Sequence, residues 1–430
     1  MKIPKHTYKT GQVKACQICG NEKLYKVLNL GHQPLADDLM PVNQGQKEVL
    51  YYPLSISFCK KCILLQNDYI VGDNKLYPKS YHYIPGITKD VLKNFEKLSK
   101  FLIKIYTPDK DKDLIVDLGC NDGTLLNQFK KSGCKKVLGI EPTDTIKLAK
   151  KKGINVIQDF FNIKSANKAI KNYGKAKLVT TTNVFAHTNN LKEFISGVKK
   201  LILKNGVFVV ENHYLLDVIK KTQFDTFYHE HLRTYSLTSL IKLMKYYGFN
   251  IVDAYTSDRY GGNIQAHFTL SKINKSPNVI KILKNEKKQK LDQEKTYLNF
   301  SKKIEESKEN LRKFINKNKH KNIVAKAFPA RASILIHYYD FLKTNVKYIA
   351  EQPTSKKLNY YAPGTNLKIL SSDNMKKNEP DYVIVLAWHL FDTIYNKWNK
   401  IFKKKVKFIK PLPVLKIIWK TKLIRSLKYF

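Results

Sequence analysis

The chain has 430 residues, 43% of them hydrophobic. It is too long for a single core and apolar enough to form two or three packed domains, which excludes bulk disorder. The formal net charge of +43 invites a nucleic-acid reading, but nearly all of it is Lys, with Arg only at Arg233, Arg259, Arg312, Arg331 and Arg425. Arg, with its planar fork, is the favoured reader of bases and phosphates. The lysines are spread among abundant Ile and Asn, as an AT-rich coding sequence produces. No specific nucleic-acid partner is therefore expected, although the positive field would attract an anionic nucleotide. No apolar run approaches the roughly 20 residues of a membrane span, and no apolar stretch follows the first lysines as in a secretory signal. The expectation is a bacterial cytoplasmic protein without a membrane partner, monomeric or a homodimer.

The first module is expected over residues 1–75. Cys16 and Cys19 form one C-x-x-C turn, and Cys59 and Cys62 another. Two such turns present four thiolates to one tetrahedral ion. A reduced compartment makes them metal ligands rather than disulfides. Four Cys leave no open coordination position, so the expected Zn2+ is structural, one per chain. Between the pairs, LGHQPLADDL reads as a loop and YYPLSISFC as an alternating strand. Tyr77, Tyr81 and Tyr83 then cluster ahead of an amphipathic helix.

From about residue 76 to 274 the pattern becomes α/β. DLIVDLGCNDGTLLNQFKKSG is an apolar strand, a Gly-containing turn and a helix, and KKVLGIEPTDTIKLAKKKG repeats the unit. NVIQDFF, KLVTTTNVFAHT and GVFVVENHY supply further strand ends. This alternation predicts a doubly wound, Rossmann-like parallel sheet with ligands at the carboxyl ends of its strands. Residues 275–320, rich in Lys and Glu with spaced apolar residues, predict a long exposed helix or helix pair whose charges are mostly a solvated face. Residues 321–430 give a second strand–helix alternation, hence a smaller C-terminal α/β domain.

The strand end carrying Asp117, Gly119, Asn121, Asp122 and Gly123 is the first chemical constellation. Its glycines let backbone approach a ligand. Glu141, about 20 residues on at the end of the next strand, can accept both ribose hydroxyls of an adenosine. One short Gly loop plus this acid suits S-adenosylmethionine better than a dinucleotide. Asp159, with Phe160 and Phe161, follows the third strand and could hold the adenine amino group beside a stacking ring. The second constellation is FDTFYHEHLRTYS, with Tyr228, Glu230 and His231. A His beside a Glu offers a general base near neutral pH with a carboxylate to orient it. On a helix, Tyr228 and His231 would share a face; on a turn, all the groups could converge. His187 lies at another strand end, where a parallel sheet places its ligand.

The ordered set C-x-x-C, LGHQPLADDL, YPL…C-x-x-C…LLQ, DLGCNDGTLL, GIEP, NVFAHT, FDTFYHEHLRTYSL, YGGN, FPARAS, APGT and PDYVIVLAW resembles the sugar C-methyltransferase family, from about Cys16 to Trp419. The resemblance implies an N-terminal zinc lobe, a central class I S-adenosylmethionine methyltransferase domain and a C-terminal substrate-binding α/β domain. The implied substrate is a nucleotide-linked 4-keto sugar, methylated at C-3. A base removes the acidic C-3 proton and the enolate takes the methyl group. His231 would be the base, with Glu230 and Tyr228 beside it; Tyr83 and His187 would hold or polarise the sugar. Pro142 and Asn183 join the cofactor set. The family's Gly-Gly-Ser and following Arg become Gly261, Gly262, Asn263 and Gln265 here. Its C-terminal small-residue turn becomes Ala327, Phe328, Pro329, Ala330 and Arg331, where the bulk of Phe328 could narrow the pocket. Two other readings compete: an O- or N-methyltransferase on the same fold, and a nucleic-acid-binding or RNA-modifying protein.

Overall fold

The structure is a computed structural model that describes residues 10–44, 48–77, 84–87, 89–419 and 422–424. Its central sheet has seven strands in the order Asn250–Ser257, Asn263–Thr269, Ile202–His213, Ala176–Thr182, Leu114–Leu118, Val137–Ile140 and Asn155–Ile157. Five are parallel; Asn263–Thr269 runs against its neighbours. Leu114–Leu118 is buried at every position, as a strand covered by helices on both faces must be. The chain reverses direction across the sheet between Leu114–Leu118 and Ala176–Thr182. That switch point leaves an open crevice at their carboxyl ends.

The N-terminal lobe is a four-stranded antiparallel sheet whose members come from two distant parts of the chain. Tyr25–Pro34 pairs with Tyr51–Cys59, which pairs with Leu64–Asn67. The fourth strand is Arg233–Tyr235, which directly follows the His-rich run. The stretch LGHQP, expected as a loop, is instead the end of Tyr25–Pro34. A register shift between Asn29 and His32, with Gly31 at φ 73°, breaks the alternation there. A bulge of this kind hides a strand from a period-two reading.

The basic stretch folds as two helices, Pro277–Lys288 and Glu294–Lys317. The first begins with Ser276 accepting from the Val279 N–H and Pro277 in the first turn, a capping arrangement that suits both residues. The second buries Tyr297, Phe300, Ile304, Leu311 and Ile315 at helical spacing against apolar residues of the N-terminal lobe and the C-terminal sheet. Its lysines and glutamates lie on the opposite side.

Among the described residues the C-terminal sheet has nine strands. Five parallel ones run in the order Lys407–Lys410, Tyr382–Val385, Ile323–Lys326, Val346–Glu351, Lys368–Ser371. Tyr360–Tyr361 then pairs with Met40–Pro41, so the N-terminal lobe contributes its last strand. No helix among the described residues is long and apolar enough to cross a membrane.

Candidate active site and metal centre

The sulfur atoms of Cys16, Cys19, Cys59 and Cys62 all lie within 4.8 Å of one another. Cys19 Sγ is 3.8 Å from Cys59 Sγ. A tetrahedral ion with Zn–S bonds of about 2.3 Å sets its ligands roughly 3.8 Å apart, so these four residues fit Zn2+ closely. Three of them are buried, and they pack into the same apolar cluster as the central domain.

At the switch point, Gly119, Asn121 and Gly123 all have left-handed backbone, with φ of 72°, 49° and 71°. A Cβ on Gly119 would lie 2.6 Å from Val184 Cγ2, so the loop can hold its close approach only as glycine. Glu141 is buried. Its Oε2 accepts from the Asn121 N–H at 3.1 Å, and its Oε1 from the Thr143 N–H at 3.0 Å. Asp117 is also buried; its Oδ1 accepts from Thr180 Oγ1 at 2.7 Å, and burial pushes its carboxyl up to about 7. Asp122 takes Lys152 Nζ at 2.8 Å and the Thr124 hydroxyl at 2.7 Å. Pro142, Asp144, Gln158, Asp159 and Phe160 line a hollow of about 440 Å³ beside Glu141. Here an adenine could rest against Phe160 with Asp159 at its edge. Asn183, at φ 56°, donates its N–H to Glu211 O and accepts from Asn263 Nδ2 at 3.2 Å. Asn263 and Gln265 both donate to the Glu211 carboxylate, as does Arg259 at 2.9 Å. The positions that depart from the family pattern at YGGN thus brace the strand end behind Asn183.

His187, His213 and His231 meet at the same edge of the sheet. The His231 ring centroid lies 4.9 Å from each of the other two. FDTFYHEH is a short 3-10 turn, Phe224–Thr226, followed by irregular backbone; the convergence is that of a turn, not a helix face. His231 Nδ1 lies 2.8 Å from Thr226 O. A carbonyl only accepts, so Nδ1 carries the proton and Nε2 keeps its lone pair. Tyr228 donates its hydroxyl to that lone pair at 2.8 Å. His187 Nδ1 lies 3.0 Å from the Tyr77 hydroxyl and 3.9 Å from Glu230 Oε2. The Tyr77 ring also touches Phe160, with centroids 6.4 Å apart. One tyrosine therefore spans from the hollow beside Glu141 to the imidazoles.

Burial holds all three imidazoles neutral. His231 is kept well below the ordinary value by desolvation and by its neighbours His213 and His187. His213 falls by desolvation and the Arg331 charge, and His187 is pushed down to about 4 by desolvation and Arg233. A neutral imidazole whose Nδ1 proton is fixed on a carbonyl keeps Nε2 as the atom that takes a proton at pH 7.

The structure thus brings together His231, Glu230, Tyr228 and His187, and beside them the cofactor loop. Tyr83 lies outside the described residues. Sequence reading missed Tyr77 as a partner of His187, and missed His213, although the latter ends a recognised strand, where a ligand-facing residue belongs. It also missed the role of Arg331. Arg331 grips Asp225 with Nε at 2.7 Å and Nη2 at 2.6 Å, while Trp388 Nε1 donates to the same carboxylate at 2.9 Å.

Comparison with known proteins agrees with this anatomy. Residues 16–77 match a family described as a zinc binding domain, 92–254 a methyltransferase domain, and 258–413 a C-methyltransferase C-terminal domain. The chain is 26% identical over 411 residues to C-methyltransferase NovU of Streptomyces niveus, spanning 94% of this chain and 97% of that protein. It is 34% identical over 82 residues to an uncharacterized methyltransferase of Schizosaccharomyces pombe, 19% of this chain and 26% of that protein. Similar solved structures include an S-adenosylmethionine-dependent methyltransferase from Listeria monocytogenes, with 16% identity, 42% of this chain, 100% of that chain and TM-score 0.33. Another is magnesium protoporphyrin IX methyltransferase from Synechocystis PCC 6803 with bound SAM, with 15% identity, 42% and 79% coverage and TM-score 0.32. Four clustered thiolates, a class I cofactor crevice and a C-terminal domain that matches the C-methyltransferase model follow one another along a single chain, which is an S-adenosylmethionine-dependent methyltransferase, similar over 94% of its length to a C-methyltransferase.

Proposed function

We propose that the enzyme methylates C-3 of a nucleotide-linked 4-keto sugar, with His231 as the base. The reading is carried by one observation: His231 presents the lone pair of a buried, neutral imidazole at the carboxyl edge of the methyl-donor sheet. S-adenosylmethionine, when bound, supplies the electrophilic methyl group. A ketone acidifies the adjacent C–H; His231 Nε2 takes that proton, and the carbanion left behind forms the new C–C bond as the C–S bond breaks. Tyr228 keeps the lone pair aimed and solvated until the substrate carbon displaces its hydroxyl. His187 and Tyr77 share one hydrogen bond between them, and the remaining proton of the pair is the donor toward the developing enolate oxygen, where a preorganised donor has its largest effect. Glu230 lies beside His187 and favours the positive sulfonium.

The nucleotide reading draws support from the C-terminal domain, residues 321–430. Its parallel strands repeat the nucleotide-binding order, and Glu351 ends the second of them as Glu141 does in the central sheet. Glu351 Oε2 accepts from the Phe328 N–H at 2.7 Å in the first turn. We take residues 1–75 as the zinc lobe, 76–274 as the methyltransferase domain and 275–320 as the helical linker, with one structural zinc.

The test is to incubate the enzyme with dTDP- and UDP-linked 4-keto-6-deoxyhexoses in D2O without methyl donor. Deuterium should enter C-3, and His231→Gln should abolish that exchange while S-adenosylmethionine still binds. Methyl transfer to oxygen or nitrogen without any exchange would overturn the reading in favour of the heteroatom methyltransferase.

A further inference from the structure

Two arginines, Arg233 and Arg331, are buried near the active site, and Arg259 is partly buried beside them. Arg259 pairs with Glu211 and Arg331 with Asp225. Arg233 is only 2% exposed, yet no carboxylate among the described residues lies within ion-pair distance of it. Its fork is used on neutral partners instead. Nη1 donates to Gln17 Oε1 at 2.9 Å, Nε to the Tyr235 hydroxyl at 3.0 Å, and Nη2 to Thr188 O.

Those partners sit at two places of consequence. Gln17 lies between Cys16 and Cys19, inside the first metal knuckle. It is buried and fixed on its other sides: its N–H donates to Gln66 Oε1 at 2.8 Å and its Nε2 to Asn67 O at 3.2 Å. Thr188 is the neighbour of His187. Arg233 itself pairs with Gln66 in the lobe's sheet, two residues after His231. The Asn67 N–H, next along that strand, donates to Leu232 O, and its side chain donates to Tyr228 O at 3.1 Å. A buried cation without a carboxylate is costly unless charge of the other sign is near. Zn2+ held by four thiolates carries a net charge of about −2, and Gln17 brings the guanidinium to that knuckle.

We infer that Arg233 is a positioning residue through which the metal knuckle fixes the His187 turn and the His231 strand. The inference rests on the assignment of these imidazoles to the reaction, but its physical content is a coupling between knuckle and imidazole. His187 is faced by Arg233, Glu230, Tyr77, His231 and His213. Removing the Arg233 cation should therefore raise the pH at which His187 titrates. Metal occupancy should be felt at the same ring.

The experiment uses the full chain with Co2+ in place of Zn2+, comparing Arg233→Met, Arg233→Lys and Gln17→Ala with the parent. Arg233→Met should keep one metal and unchanged S-adenosylmethionine binding, shift the cobalt–thiolate absorption, and raise the histidine titration seen by NMR. Turnover of a 4-keto-hexose nucleotide should fall about 100-fold in kcat with little change in KM. Arg233→Lys, which keeps charge without the fork, should restore the titration but not the full rate. Gln17→Ala leaves Arg233 in place, and should shift the cobalt bands and lower kcat in the same direction even where Arg233→Met fails to fold. Unchanged cobalt bands and His187 titration in the folded variants would overturn the inference, as would a rate loss that merely follows metal loss. If instead His231→Gln turns over normally, the base assignment falls alone, because the bands and titration decide the coupling independently.

Discussion

Replacing Asp225 by Asn should leave the Arg331 guanidinium stranded in the protein interior. Asp225 is fully buried, and every hydrogen bond to its carboxylate comes from a donor: Arg331 Nε at 2.7 Å, Arg331 Nη2 at 2.6 Å and Trp388 Nε1 at 2.9 Å. Whichever way the Asn amide turns, its NH2 group faces one of these donors. The substitution removes the compensating charge and creates a donor–donor clash, whereas a surface pair would lose less than about 1 kcal/mol. Breaking a buried pair from one side costs about 3–5 kcal/mol. Arg331→Met should cost a similar amount by stranding the carboxylate. The double variant should recover a large part of the loss, because neither charge then remains to be buried. Urea unfolding of the zinc-loaded protein, read as a double-mutant cycle, measures the coupling. Singles that each cost under about 1 kcal/mol, or a double whose loss is the sum of the two, would refute the argument. Asp225 also precedes Thr226, whose carbonyl sets the His231 tautomer, so kcat should fall in both singles.

The buried imidazoles make acid the vulnerable side of the stability curve. His187 and His229 are pushed down to about 4, and His267 and His389 to about 3, each mainly by burial. The unfolded chain protonates these rings below about pH 6.5, while the folded chain does not until pH 3–4. Stability is thus complete above about 6.5 and falls as pH drops below it, by up to about 1.4 kcal/mol per pH unit for each ring. Urea midpoints between pH 7.5 and 5.5 should show a steep slope, which His267→Gln, at a ring distant from the thiolates, should flatten; a flat parent profile would sink the idea. Chelation at neutral pH should strip one zinc per chain and melt the lobe built on Cys16, Cys19, Cys59 and Cys62, checked by metal analysis and near-UV circular dichroism. A fully folded, metal-free chain would contradict the structural role.

Features set by local chemistry were legible in the sequence. The C-x-x-C pairs need only their spacing, and the DLGCNDG loop needs only glycines after an apolar strand. What escaped was long-range. Arg233–Tyr235 is three residues long and buried throughout, so it has no alternation to announce a strand. Its partner, Leu64–Asn67, lies in another module. The LGHQP strand was hidden by a bulge at Gly31. Arg331 reads locally as a helix-start residue after FPA, and nothing near it says that its partner is 106 positions away. His213 was visible as a strand end, but only the folded turn of 224–231 shows that it faces His231.

The turn that carries His231 is held from three directions. Arg331 and Trp388 hold Asp225 from the C-terminal domain. The Leu232 N–H donates to Ala186 O in the central domain, and Arg233–Tyr235 is a strand of the zinc lobe. This suits the chemistry proposed for it. A hydroxyl or amine substrate hydrogen-bonds to its base in the ground state and so helps to orient it. A C–H bond does not, and gains nothing from the base until the proton is in flight. The alignment of Nε2 with the C–H bond must then come from the protein, and a misplacement of about 1 Å costs on the order of 100-fold in rate. A base for carbon acids therefore gains more from a rigid mount than a base for oxygen acids does. Here that mount is built from all three modules of the chain, which gives a physical reason for a zinc lobe in an enzyme whose proposed chemistry routes no step through zinc.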